Sequence, residues 1–172
     1  TASTYRSPDR AVAMHATLPD GKRAQIGIVN LFRQGDGDAI TFPEGGFTVK
    51  ECAVGGERVN FASWLAKTGI DTRLPLVADY NGAMVNVSFQ SVGQPGGEVA
   101  LYAPVFANVD YRIAAPVPDY VGSFAEALPK GLQARFSCNC ILNFLYSELE
   151  GKVTQGMSGP ITFGEIAYQL LN

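Results

Sequence analysis

The residues of this chain best suited to chemistry fall in two short stretches. The first is Phe136-Ser137-Cys138-Asn139-Cys140, which runs directly into Ile141-Leu142-Asn143-Phe144-Leu145. Read as a strand that turns into a helix, it places two thiols and an amide at a helix start, where N–H groups lack partners and the dipole end is positive. Asn139 is a natural cap there. A thiol so placed would have a lowered pKa, and the same N–H groups can donate to a carboxylate or phosphate of a ligand. The competing reading makes both cysteines small core residues, since cysteine is among the most buried residue types. A C-x-C pair with no neighbouring His or further Cys does not close a tetrahedral metal site.

The second stretch is Gly159-Pro160-Ile161-Thr162-Phe163-Gly164-Glu165-Ile166. A carboxylate inside an apolar run needs partners if it is buried, and a ligand amino group or a cluster of backbone N–H groups would supply them. The plainer alternative is an edge-strand Glu165 facing water.

Other groups carry less. His15, the single histidine, reads as a hydrogen-bonded structural residue rather than a base. A Cys138/His15/Glu165 triad can be drawn, but no spacing supports it, and triads are recognised by geometry. Thr1 as an N-terminal nucleophile would need a buried strand behind it, and the polar Ala2–Arg10 does not provide one. Gln34–Asp38 has too few alternating carboxylates for a calcium loop. There is no Walker motif and no G-x-G-x-x-G. Tyr80, Tyr102, Tyr111 and Tyr120 sit near strand ends and lack the basic neighbours of a nucleic-acid stacking platform.

The elements that must position these residues read mostly as strands. Ala11–Leu18 and Arg23–Phe32 flank Pro19-Asp20-Gly21-Lys22, a turn signal, and predict a hairpin. Phe47–Val54 reads as one strand. Phe61, Trp64 and Leu65 have helical spacing within Asn60–Thr68, and Gly69 is a stop. Leu74–Asp79 resumes β structure, Asn81-Gly82 is a strong hairpin signal, and Ala83–Gln90 alternates. Glu98–Pro104 and Asn108–Ala115 complete the strands of this region. Ser123–Leu128 reads as a short helix capped by Ser123, with Glu126 at capping-box distance, and Pro129 ends it. Ala134–Cys138 reads as a buried strand, Ile141–Glu150 as a helix stopped by Gly151, and Ile161–Ala167 as a strand. Strands with helices set between them predict a mixed α+β fold on a mostly antiparallel sheet, with a few helices packed on it.

Composition narrows the function. The chain has 172 residues, 13 basic against 16 acidic, and is 47% hydrophobic but only 17% charged. That is enough for a core and argues against charge-driven disorder. The dispersed, mildly acidic balance lacks the clustered Lys and Arg of a nucleic-acid footprint. No apolar run is long enough to span a membrane, and the polar opening does not read as a signal segment. The three cysteines are an odd number and do not suggest a secreted disulfide framework, so a reducing cytoplasm is the expected compartment.

From about Gly55 onward the chain resembles the C-terminal domain of FIST proteins, a family of signal-transduction sensors. The likeness rests on Asn60–Leu65 followed by Leu74-Pro75-Leu76, on Asn81–Ser88 and Glu98–Pro104 as paired strands, on Arg135-Phe136-Ser137-Cys138, and on Thr162-Phe163-Gly164-Glu165-Ile166 with Leu171-Asn172. Where that family often has Gly-Arg shortly after the Cys, this chain has Cys140-Ile141-Leu142. The resemblance implies a 55–172 domain that senses a small, amino-acid-like ligand without turning it over. Residues 1–54 would be a β-rich segment packed on it.

The sequence thus predicts a small-metabolite-binding or sensory domain without a cofactor or metal. Cys138, Asn139, Cys140 and Asn143 would meet the anionic end of the ligand, and Thr162 and Glu165 its cationic or hydroxyl end. Two alternatives come from other classes: a cysteine-dependent enzyme using Cys138, and an assembly protein whose apolar strands pair between subunits as a homo-oligomer.

Overall fold

A computed structural model describes residues 9, 13, 15–131, 136–154, 159–164, 166–167 and 170–171. Earlier readings that fall in part outside them involve Thr1, Ala2–Arg10, Ala11, Val12, Met14, Ala134, Arg135, Glu165 and Asn172.

The elements in chain order are β1 (Ile40–Thr41), β2 (Gly46–Val49), β3 (Glu51–Val54), β4 (Glu57–Asn60), α1 (Phe61–Thr68), β5 (Leu76–Tyr80), β6 (Ala83–Val87), β7 (Phe89–Val92), β8 (Val99–Val105), β9 (Tyr111–Ile113), α2 (Tyr120–Ala127), β10 (Asn139–Cys140), α3 (Ile141–Tyr146), β11 (Ile161–Thr162), β12 (Ile166–Ala167) and β13 (Leu170–Leu171). A six-stranded antiparallel sheet runs in the order β4-β3-β1-β9-β5-β6, and a three-stranded antiparallel sheet runs β2-β8-β7. The fold is therefore mixed α+β, mostly antiparallel sheet with a few helices.

Local chemistry accounts for the hairpins. Asn81 and Gly82 sit at φ 56° and 94°, the left-handed values a two-residue turn needs to match strand twist. They set the register Tyr80↔Ala83 through Leu76↔Val87. Gly55 and Gly56, at φ 58° and 90°, do the same for β3 and β4, which pair Val54↔Glu57 through Glu51↔Asn60. This sheet thus runs unbroken across residues 54 and 55.

Helix α1 begins where the spacing predicts. Asn60 caps it by accepting from the Ser63 N–H at 2.9 Å, and Gly69 closes it in the left-handed conformation. Its buried Phe61, Ala62 and Leu65 enter a core shared by both sheets, with Ile40, Phe42, Val54, Leu76, Val99, Leu101, Val105 and Tyr111. Phe61 meets Phe42 edge-on at 5.4 Å and stacks on Trp64 at 6.0 Å. Burying each such ring contributes about 1.5–3 kcal/mol.

Several expectations are corrected. Among the described residues, the hairpin expected over Ala11–Leu18 and Arg23–Phe32 does not form. No described residue from 15 to 33 is in a strand, and residues 15–28 are exposed. An isolated two-stranded hairpin is marginal in water, and the exposed residues 15–28 bury no face that would hold one. Phe47–Val54 is two strands, because the chain passes from the small sheet to the large one at Lys50. Ala83–Gln90 is likewise divided at Ser88, between β6 and β7. Helix α2 starts three residues before Ser123, because Asp119 caps it by accepting from the Gly122 N–H at 3.0 Å. Residues Phe136–Cys138 are not in a strand, and β10 begins at Asn139. Helix α3 stops at Tyr146 rather than Glu150, and Glu148 turns to φ 51°. Gly164 (φ 137°) sits in the break between β11 and β12 within Ile161–Ala167.

Candidate functional site

The two stretches singled out in the sequence come together. Strands β10 and β11 pair in parallel with Asn139 opposite Ile161 and Cys140 opposite Thr162. The Asn139 N–H donates to the Pro160 carbonyl at 3.2 Å. This pairing holds the turn before α3 against the segment that enters through Pro160.

Asn139 is not the cap of α3. Cys140 occupies that position, with no side-chain hydrogen bond to the helix. The Asn139 side chain faces α3 instead, where its Oδ1 accepts from Asn143 Nδ2 at 2.8 Å. The same Nδ2 donates to the Tyr120 hydroxyl at 2.6 Å, and Asn143 Oδ1 accepts from Ser147 Oγ at 3.2 Å. Both amide protons of Asn143 are thus engaged. Asn143 therefore ties α2 to the β10–α3 turn. Tyr120 is buried, and burial pushes its phenol above the usual range, opposed by the Asn143 hydrogen bond.

The two thiols of the motif part company. Cys140 is buried, while Cys138 is exposed. Thr162 is half-buried. Its hydroxyl lies 3.3 Å from the Gly164 carbonyl and 3.4 Å from the Gly164 N–H, in a local turn. The structure therefore brings Cys138, Asn139, Cys140, Asn143 and Thr162 into one neighbourhood. Phe136 and Phe163 flank the motifs and are both strongly exposed.

A second feature escaped the sequence reading. A concavity of about 170 Å³ is lined by Thr41, Phe42, Pro43, Glu51, Cys52, Ala53, Arg58 and Asn108. Gly55-Gly56, between Val54 and Glu57, was the available signal for its hairpin. Burial, with the Glu51 charge beside it, pushes the Cys52 thiol up to about 12. Cys52 is a core thiol.

His15 is exposed. Among the described residues no group of three or more His, Cys, Asp and Glu side chains could hold a metal ion, and no helix is long and apolar enough to cross a membrane. No curated protein and no solved structure matches the chain. The model of a family of unknown function, DUF6976, matches residues 2–172, and the chain belongs to that family.

Proposed function

We propose that this chain is a non-catalytic module that binds a small polar metabolite, as a sensory or regulatory domain working in the reducing cytoplasm. The observation that carries the reading is the register of β10 and β11, which sets Cys140 against Thr162 with Cys138 exposed immediately before the pair. Sites for small ligands combine an apolar lining with a few converging polar groups. Here the Cys138 thiol and the Thr162 hydroxyl serve as contacts, and the Asn139–Asn143–Tyr120 cluster holds the turn that presents them. The reading also agrees with what the FIST-like motifs imply, in which Glu165 would supply the contact for a cationic group.

A thermal-shift screen of amino acids, small carboxylic acids and sugars tests it. A ligand present at 100 times its dissociation constant stabilises the fold by about 2.7 kcal/mol. Thr162→Val removes the hydroxyl, keeps the volume and lowers that stabilisation. A ligand that stabilises Thr162→Val, Cys138→Ala and the parent equally binds elsewhere, and the assignment fails.

A further inference from the structure

One row of side chains crosses the large sheet away from the C-terminal junction. Ala53 is the register partner of both Thr41 on β1 and Arg58 on β4, and residues opposite one another in an antiparallel sheet project from the same face. Ala53 is the shortest of the three, so the row dips at its centre. Glu51, two positions along β3, projects from that face as well. Pro43 and Asn108 complete the wall of the 170 Å³ concavity.

The polar groups around it are open. Glu51 Oε2 lies 3.7 Å from Arg58 Nε, an attraction too long for a hydrogen bond. Among the described residues, no protein hydrogen bond is made by the side chains of Thr41, Glu51, Arg58 or Asn108, and none of their polar atoms is sealed from solvent. A guanidinium donor fork, a carboxylate, a hydroxyl and an amide thus border one hollow, with Phe42, Pro43 and Ala53 as its apolar lining.

The geometry points to a binding site for a small zwitterion, an α-amino acid with a short side chain. Its carboxylate takes the Arg58 guanidinium, with the Thr41 hydroxyl as second donor, and its ammonium takes Glu51. Opposite charges this close match a ligand whose own charged groups stand on one carbon. A phosphate or a nucleic acid would meet a single arginine already faced by a carboxylate, so net charge does not favour them. The volume is close to that of a benzene-sized cavity, which suits glycine or alanine. No residue of the C-terminal site takes part, so the two assignments stand or fall separately.

The test is an NMR titration of the full chain with glycine, L-alanine and L-tryptophan, with acetate and methylamine as half-molecules. Glycine and L-alanine should give saturable shifts at the Ala53 and Arg58 amides, L-tryptophan should bind no more tightly than they do, and each half-molecule should bind more weakly than glycine. Arg58→Gln and Glu51→Gln should each weaken binding by about tenfold or more, the scale of one charge-assisted hydrogen bond. Ala53→Leu should abolish it by filling the hollow while both charges remain, with an unchanged melt showing that the fold is intact. No shift at about 10 mM ligand, a dissociation constant weaker than any useful site, would overturn the proposal. So would binding that survives Ala53→Leu, and if that binding disappears in Thr162→Val the ligand sits at the C-terminal junction instead.

Discussion

Cys140 and Thr162 are direct partners across the parallel pair β10–β11. Cys140 is buried, while Cys138 stands exposed ahead of the pair. A parallel pair is an unusual local arrangement in a chain whose other sheets are all antiparallel among the described residues, and it carries the functional reading.

Thiol labelling should divide the cysteines. Cys138 is exposed, whereas Cys52 and Cys140 are buried, at 1% and 8% relative exposure. Native protein mixed with a disulfide reagent at neutral pH should release one equivalent quickly and two more only in denaturant. Labelling of Cys138 at the rate of an unfolded thiol supports a binding role. A rate far above it would point to an activated thiolate and to the enzyme alternative.

Asn143 should matter for stability. Asn143→Ala removes the donors to Tyr120 and Asn139 and the acceptor for Ser147. A loss of about 1–3 kcal/mol is expected, because the remaining half-buried polar groups are left unpaired. Urea unfolding followed at both tyrosine and tryptophan measures it, with Tyr120→Phe as the milder companion.

The Cys52 thiol gives a pH signature. Its pKa rises from 9.0 to about 12 on folding, chiefly through burial, so the folded chain holds this proton more tightly than the unfolded one. The associated stabilisation is complete below pH 9 and drains away as pH climbs toward 12. Tyr111 and Tyr120 are also shifted upward and act in the same direction. The comparison is therefore between the parent and Cys52→Ala, whose melting temperature should fall less steeply over that range.

Asn30 fastens the N-terminal segment to the sheet. Its Nδ2 donates to the Met84 carbonyl at 3.0 Å and to Asn86 Oδ1 at 3.1 Å, while its Oδ1 accepts from Asn86 Nδ2 and the Phe32 N–H. Asn30→Ala should cost about 1–3 kcal/mol and speed tryptic cleavage after Arg33, whose guanidinium now bonds the Asn30 and Phe32 carbonyls. Unchanged cleavage would show that the backbone bonds at Gly35 and Ala115 suffice as the anchor.

What the sequence revealed follows the range of its interactions. Helix α1 was legible because its stripe and stop are local, from Phe61 to Gly69. The Asn81-Gly82 hairpin was legible because turn chemistry fixes its register. The break at Lys50 was not, since residues on either side of it join different sheets through partners far along the chain. The N-terminal hairpin misled because β-prone segments and a good turn do not make a sheet without something to pack on. At the candidate site the residue types were readable, but Asn139 looked like a cap. Its actual partner, Asn143, is held from outside the motif by Tyr120. The row Thr41–Ala53–Arg58 was invisible for the same reason, since no local pattern announces that three strands align.

The most direct test of the binding account is ligand protection of Cys138. With any compound that stabilises the fold in the thermal screen, alkylation of Cys138 should slow in proportion to occupancy, and the protection should vanish in Thr162→Val. Alkylation at the same rate with and without saturating ligand would contradict the account.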